Sequence, residues 1–155
     1  MIKKILLYDN EQDREILTQK SVETTVEESK ELIQDLKDTL NTHKNGCGIS
    51  AVQIGELKRV CVIKFNGKEI AMINPVITRT RGEIDSEEGC LSAPNLFGKF
   101  KRAQKVWCEY TDENGNKKEI AEGGLCSRII QHELDHFDGW CHVFEEIDIK
   151  EKKED

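Results

Sequence analysis

The spacing of apolar residues along the chain predicts two helices. In residues 25–44, apolar positions recur every three or four residues, with acidic and basic residues between them. Thr25 and Glu28 have the Thr-x-x-Glu spacing of a capping box, which predicts where this helix begins, and Asn45-Gly46 predicts where it ends. A second pattern of helical period covers residues 124–138.

Shorter apolar runs between the two helices predict strands. The predicted strands are residues 59–64, 69–77, 105–110 and 117–121. The first pair is joined at Asn66-Gly67, a dipeptide typical of tight hairpins, and the second pair by turn residues at 112–116. We therefore expect an α+β fold with short, mostly antiparallel strands around a central helix, and with the N-terminal helix packed outside.

The predicted central helix carries polar residues on its buried face. At about 100° per residue, His132, Glu133 and His136 share a face with Leu125 and Ile129. Burying three such side chains destabilises a fold unless hydrogen-bond partners or a metal ion compensate their polar atoms. His132 and His136 are one helical turn apart, which suits two ligands of one metal ion, and Glu133 can reach a water on that ion. The pattern predicts a helix that bears a metal.

Two imidazoles leave a tetrahedral site one protein ligand short. His142 is one candidate, because the run from His132 to His142 matches the His-Glu-x-x-His-x-x-Gly-x-x-His pattern of metzincin proteases. Those proteases have a methionine turn further along the chain, whereas the two methionines here are Met1 and Met72. Cys90 is the other candidate, because it is flanked by glycine and preceded by acidic residues, unlike a cysteine of an apolar core.

Composition and charge narrow the classes of function. The chain has 155 residues, which predicts a single catalytic domain over residues 1–155, with 145–155 as a frayed acidic tail. It has 23 basic and 30 acidic residues and a net charge of −7, so we expect no direct binding to nucleic acid. No apolar run suits a membrane span or a signal peptide. We therefore expect a cytoplasmic protein without a membrane partner and without disulfides.

Three motifs, in this order, resemble those of the peptide deformylase family. The family patterns are Gly-x-Gly-x-Ala-Ala-x-Gln, Glu-Gly-Cys-x-Ser and His-Glu-x-Asp-His. The matching segments are 46–53 (GCGISAVQ), 88–92 (EGCLS) and 132–136 (HELDH). The resemblance extends over about residues 46–144. Ser50 stands where the first motif has alanine, and the segment from Tyr8 lacks the Tyr-Pro-Asp sequence that many members show.

This resemblance implies the ligands and the ion. Cys90, His132 and His136 would bind one divalent ion, with a fourth position for water. The family implies Fe²⁺ as the physiological ion, and Zn²⁺, Ni²⁺ or Co²⁺ also suit one thiolate and two imidazoles. We expect Glu88, next to these ligands, to have a structural role, paired with Arg102 or Arg128.

The resemblance also implies a reaction, the hydrolytic removal of the formyl group from N-formylmethionyl peptides. Hydroxide on the ion would attack the formyl carbonyl, and Glu133 would move the proton to the leaving amine. The Gln53 side chain and the Leu91 backbone N–H would stabilise the negative charge that develops on the carbonyl oxygen.

Substrate contacts and partners follow from the same resemblance. Cys47, Gly48 and Gly89 would pair with the peptide backbone as an added strand, and Leu125 and Ile129 would line a pocket for the methionine side chain. The partners would be N-formylmethionyl nascent peptides, and the enzyme could act close to the ribosome, although the acidic end offers no basic docking helix. We expect a monomer.

The sequence is also compatible with two alternative functions. The first is a metal-binding deformylase paralogue that acts on another N-acyl group or has no catalytic activity, for which Ser50 is one hint. The second is a metallopeptidase that uses His142 as its third ligand.

Overall fold

The apolar patterns fold into helices and antiparallel sheets, as predicted. The structure is a computed structural model that describes residues 1–154. Its elements are α1 (Glu11–Leu17), α2 (Val26–Leu40), β1 (Gly48–Ser50), a 3₁₀ helix (Ala51–Ile54), β2 (Val60–Phe65), β3 (Lys68–Arg81), β4 (Ile84–Cys90), β5 (Ala93–Arg102), β6 (Lys105–Thr111), β7 (Lys117–Gly123), α3 (Gly124–Phe137) and α4 (Phe144–Glu154). The fold is therefore α+β. None of the helices described within 1–154 is long and apolar enough to cross a membrane.

Two antiparallel sheets contain these strands. The larger sheet has the order β1-β2-β3-β6-β7, and β4 pairs with β5 in the smaller one. The β2–β3 hairpin turns at Asn66 and Gly67, whose φ angles of 51° and 74° suit the tight turn that the sequence predicts. The β4–β5 hairpin was not predicted, because most of its residues are charged or exposed and it shows no apolar alternation.

The larger sheet lies between α2 and α3. Alternate residues of β2 point to opposite faces. Val60 and Val62 join the core beneath α2 with Leu36. Cys61 and Ile63 join the core beneath α3, together with the residues Met72, Val106, Cys126, Ile130 and Phe137. The helix that carries the His-Glu motif is thus packed directly on the inner strands of the sheet.

The N-terminal boundary of α2 is as predicted, but its C-terminal boundary is not. The Thr25 hydroxyl accepts a hydrogen bond from the Glu28 N–H, while the Glu28 carboxylate accepts one from Thr24, so only half of the capping box forms. The helix ends at Leu40 rather than near residue 44. The Thr42 hydroxyl bonds the Thr39 carbonyl, a local contact that competes with further helical turns.

Residues 145–154, which the sequence suggests are a frayed acidic tail, belong to helix α4; Asp155 lies outside the described residues. The first residue of α4, Phe144, stacks on Tyr8 with ring centroids 4.1 Å apart. The Tyr8 hydroxyl donates to Asp148 at 2.9 Å. Ile147 is buried in the same cluster. Because most residues of this segment are charged, the sequence pattern does not reveal the few apolar positions that pack α4 against the core.

Two isoleucines of α4 test whether this helix is packed. Ile147 is 7% exposed and Ile149 is 47% exposed. Ile147→Ala should lower the free energy of unfolding by about 2–5 kcal/mol, because it empties a packed site. Ile149→Ala, the matched control, should change it by less than about 0.5 kcal/mol. Denaturant titration of both variants measures the difference, and equal small effects would mean that the tail is frayed after all.

Candidate metal centre

Four metal-binding side chains meet beside α3. The donor atoms of Cys90, His132, His136 and Cys141 all lie within 4.8 Å of one another. Cys90 Sγ is 3.4 Å from His136 Nε2, and Cys141 Sγ is 3.7 Å from His132 Nε2. In a tetrahedral zinc site, bonds of about 2.3 Å to sulfur and about 2.0–2.1 Å to nitrogen separate a sulfur from a nitrogen by about 3.5–3.6 Å. The donors therefore fit one ion of this kind.

The structure thus brings together the three residues predicted as metal ligands. His132 and His136 come from the second half of α3, and Cys90 is the last residue of β4. Cys141, in the turn after α3, was missed by the sequence analysis. Its signal in the sequence was a cysteine five residues after His136, in a run that otherwise looks like apolar core.

A buried ion pair orients His132. The Glu88 carboxylate lies 2.8 Å from His132 Nδ1 and pairs with the Arg102 guanidinium through both of its oxygens. Burial alone would raise the pKa of Glu88, but hydrogen bonds from His132, Arg102 and Ser86 outweigh it and hold this pKa at about 2. An ionised Glu88 keeps the His132 proton on Nδ1, which leaves the Nε2 lone pair free for an ion. The predicted pairing of Glu88 with Arg102 is confirmed.

Glu133 is buried beside the donors and is closely enclosed. The Ser50 hydroxyl lies 2.9 Å from the Glu133 backbone carbonyl and 3.1 Å from Glu133 Oε1, so the serine that departs from the family motif contacts this residue. A Cβ at Gly48 would lie 2.6 Å from Glu133 Oε2, which leaves room for glycine alone. Burial raises the pKa of the Glu133 carboxyl, although His132 and His136 act in the opposite direction.

Gln53 has a fixed orientation that points its amide nitrogen at the site. Its Oε1 accepts a hydrogen bond from the Ser50 N–H at 2.9 Å. Its Nε2 donates to Ser92 Oγ at 3.1 Å and lies 3.7 Å from Cys90 Sγ. Leu91 and Ser92 form the tight turn between β4 and β5. Gln53 both caps the local backbone and presents an N–H group to the metal donors.

An open cleft of about 630 Å³ leads to these residues. The predicted site residues that line it are Cys47, Gly48, Gln53, Gly89, Cys90, Leu91, Leu125, Ile129, His132 and Glu133. His136 is fully buried behind them. Phe97 and Arg128 also line the cleft and were not predicted as site residues.

The two sides of the cleft are edge strands. In the part of the chain that is described, β1 pairs only with β2, and β4 only with β5. The Cys47 carbonyl already accepts a hydrogen bond from the Lys64 N–H, at 2.7 Å. Because backbone groups alternate in direction along a strand, Gly48 presents its N–H and C=O to the free edge. The prediction of an added strand therefore fits Gly48 better than Cys47.

His142 lies outside the group of donors. Its ring stacks on Phe100 with centroids 4.5 Å apart. Its nitrogens lie 4.0 Å from Asp135 and 3.7 Å from Glu145. These contacts give no support to a metzincin site with His142 as the third ligand.

The fold and this site define a class, an α+β protein with a Cys/His group that could hold a metal ion at the base of a cleft. The model of the family described as polypeptide deformylase matches residues 2–153. Peptide deformylase 2 of Clostridium acetobutylicum is 41% identical over 127 residues, which cover 81% of this chain and 85% of the relative. The peptide deformylase of Caldicellulosiruptor bescii is 39% identical over 140 residues, 89% of this chain and 81% of the relative.

A solved structure agrees with these sequence matches. The crystal structure of peptide deformylase from Thermus thermophilus has a TM-score of 0.83 and 33% identity, and the match covers 91% of this chain and 83% of that one. The chain belongs to the polypeptide deformylase family of enzymes.

The Glu88 carboxylate should strengthen metal binding. Glu88→Gln keeps the shape but weakens the partner of the His132 Nδ1–H, so the affinity for Zn²⁺ should fall by about 10–100-fold. Glu87→Gln, at the exposed neighbouring position, is the control and should leave the affinity unchanged. Competition with a chelator measures both variants. Equal affinities of Glu88→Gln and the unmodified protein would contradict the role given to Glu88.

Proposed function

We propose that this enzyme removes the formyl group from N-formylmethionyl peptides of newly made proteins, with one divalent ion. One observation carries the proposal: three donors of the family pattern, Cys90, His132 and His136, meet next to a buried Glu133 at the base of a cleft. Membership of the deformylase family supports the choice of a formylated peptide as substrate.

Cys90, His132 and His136 would hold the ion. When bound, a divalent ion supplies a water of lowered pKa and polarises the carbonyl that is attacked. We propose Fe²⁺ as the ion in the cell, a choice that rests on the family resemblance, since the same donors also suit Zn²⁺, Ni²⁺ and Co²⁺.

Glu133 would carry the proton. Its carboxylate accepts a proton from the attacking water and delivers it to the leaving amine. The Ser50 hydroxyl, which lies 2.9 Å from the Glu133 backbone carbonyl and 3.1 Å from Oε1, would help to orient the carboxylate. Burial raises the pKa of the Glu133 carboxyl in the metal-free site, and a bound divalent cation would act in the opposite direction.

Gln53 and Leu91 would stabilise the carbonyl oxygen as it becomes negative. The Gln53 amide is oriented before substrate binds, because its Oε1 accepts from the Ser50 N–H and its Nε2 donates to Ser92 Oγ. One such donor is typically worth about 3–4 kcal/mol. The Leu91 N–H belongs to the turn that directly follows Cys90, so the two donors approach the site from neighbouring elements.

The edge strands would bind the peptide. Gly48 on β1 and Gly89 on β4 border the cleft, where an extended peptide can add as a strand. Leu125 and Ile129 come from the first two turns of α3 and would contact the methionine side chain. We further propose a cytoplasmic monomer that acts on nascent peptides and binds no membrane. The net charge of −7 supports the proposal that it does not bind nucleic acid directly.

Removing the carboxylate should separate turnover from metal binding. Glu133→Gln should retain the ion but lower the turnover of a formyl-Met peptide by about 10²–10⁴-fold, because the ligands remain and the proton carrier does not. Elemental analysis and a deformylation assay under anaerobic conditions measure both quantities. A near-normal rate in this variant would exclude Glu133 as the proton carrier. Hydrolysis of an acetyl-Met peptide in preference to the formyl-Met peptide by the unmodified enzyme would favour the paralogue alternative.

The glycine that contacts this carboxylate gives an independent test. In Gly48→Ala, the added Cβ would overlap Glu133 Oε2 and displace it. The turnover number should fall at least tenfold, while the metal content should stay at one ion per chain, because no donor atom has moved. If Gly48→Ala keeps the full rate, the carboxylate does not work from the position that the structure shows.

A further inference from the structure

We infer that Cys141 is a fourth protein ligand, so that the substrate-free centre of this enzyme is a Cys₂His₂ site. The group of donors contains four residues, whereas the family motifs account for only Cys90, His132 and His136. The inference concerns the same site as the proposed function and rests on it only for the identity of the first three ligands.

The position of Cys141 Sγ is that of a donor. It lies 3.7 Å from His132 Nε2, the nitrogen that the Glu88 contact leaves free, and within 4.8 Å of the other two donor atoms. A sulfur and a nitrogen on one tetrahedral zinc ion are about 3.5–3.6 Å apart, and two sulfurs about 3.8 Å. The distance from Cys141 Sγ to His132 Nε2 is close to the first value, and the 4.8 Å limit on its other distances keeps it within reach of the same ion.

The chain holds Cys141 in place from both sides. Gly139, just before it, has a φ of 81°, and a Cβ there would lie 2.4 Å from the Thr18 carbonyl oxygen, so the turn after α3 packs tightly on the N-terminal segment. The Cys141 carbonyl accepts a hydrogen bond from the Phe144 N–H at 2.9 Å, in the first turn of α4. The thiol therefore does not depend on a flexible loop for its position.

The simpler role for Cys141 is that of a small apolar residue. Its side chain is 1% exposed and belongs to the cluster of Tyr8, Val143 and Phe144. That role explains its burial but not the contact between Sγ and a metal-binding nitrogen. Cys126 gives the comparison within this chain, because it is equally buried, packs in the core beneath α3 and lies outside the donor group.

A closed Cys₂His₂ centre has a consequence for the enzyme. Such donor sets bind Zn²⁺ tightly and leave no open position, whereas hydrolytic sites keep one for water. The Cys141 thiolate would therefore hold the position that the proposed hydrolysis needs for water, and turnover would require this side chain to give up that position or the ion to accept a fifth donor.

Cobalt spectroscopy distinguishes one thiolate ligand from two. Co²⁺ is added to the metal-free full chain under anaerobic, reducing conditions, and the thiolate-to-Co²⁺ charge-transfer band is measured per bound ion. Cys141→Ala should reduce this band to about half, since one of two sulfur ligands is lost. Cys90→Ala should leave about half of it, carried by Cys141. Cys126→Ala, the control, should leave the band unchanged.

The opposite pattern would overturn the inference. If Cys141 is only a core residue, Cys141→Ala keeps the full band and Cys90→Ala abolishes it. Circular dichroism of each variant checks that it is folded, and Cys141→Ser replaces the alanine variant if that one unfolds. Formyl-Met peptide hydrolysis by the unmodified enzyme is assayed separately, so a failure of the proposed function is distinguishable from a failure of the fourth ligand.

Discussion

The cost of burying polar groups on α3 is the constraint on which the rest of the site depends. His132, Glu133 and His136 are 8%, 4% and 0% exposed, on a helix that is packed against the inner strands of the sheet. Each of these side chains would destabilise the fold if it had no partner. The Glu88 carboxylate contacts His132 Nδ1, and the Ser50 hydroxyl contacts Glu133. The Nε2 atom of His136 lies next to the Cys90 thiol, and the Nε2 atom of His132 lies next to the Cys141 thiol.

The same constraint explains residues that have no chemistry of their own. Arg102 can be buried because the Glu88 carboxylate neutralises its charge. It also pairs with Asp135 on α3, so it connects β5 to this helix. Gly48 is needed because the Glu133 carboxylate occupies the space of a side chain. Since β1 and β4 keep one edge free, the cleft remains open to an extended ligand although the donors lie deep.

The sequence was sufficient to predict the elements with a regular apolar period and the site residues that lie within motifs. The β2–β3 hairpin follows from Asn66-Gly67, and the ligands on α3 follow from two histidines one turn apart. The β4–β5 hairpin and α4 were missed because their charged residues obscure the pattern, and only tertiary contacts such as Tyr8 with Phe144 reveal the packing. Cys141 could not be assigned from one sequence, because a buried cysteine and a metal ligand have the same local pattern.

We propose that one ion is bound by the donors gathered on α3 and at the end of β4. Anomalous diffraction from crystals of the zinc-loaded protein tests it most directly, because it locates the ion without reference to activity. We expect one peak per chain, bonded to Cys90, His132 and His136, with Cys141 Sγ as the fourth neighbour. A peak at another place, such as between His142 and Asp135, or no bound ion in the crystal, would contradict the account.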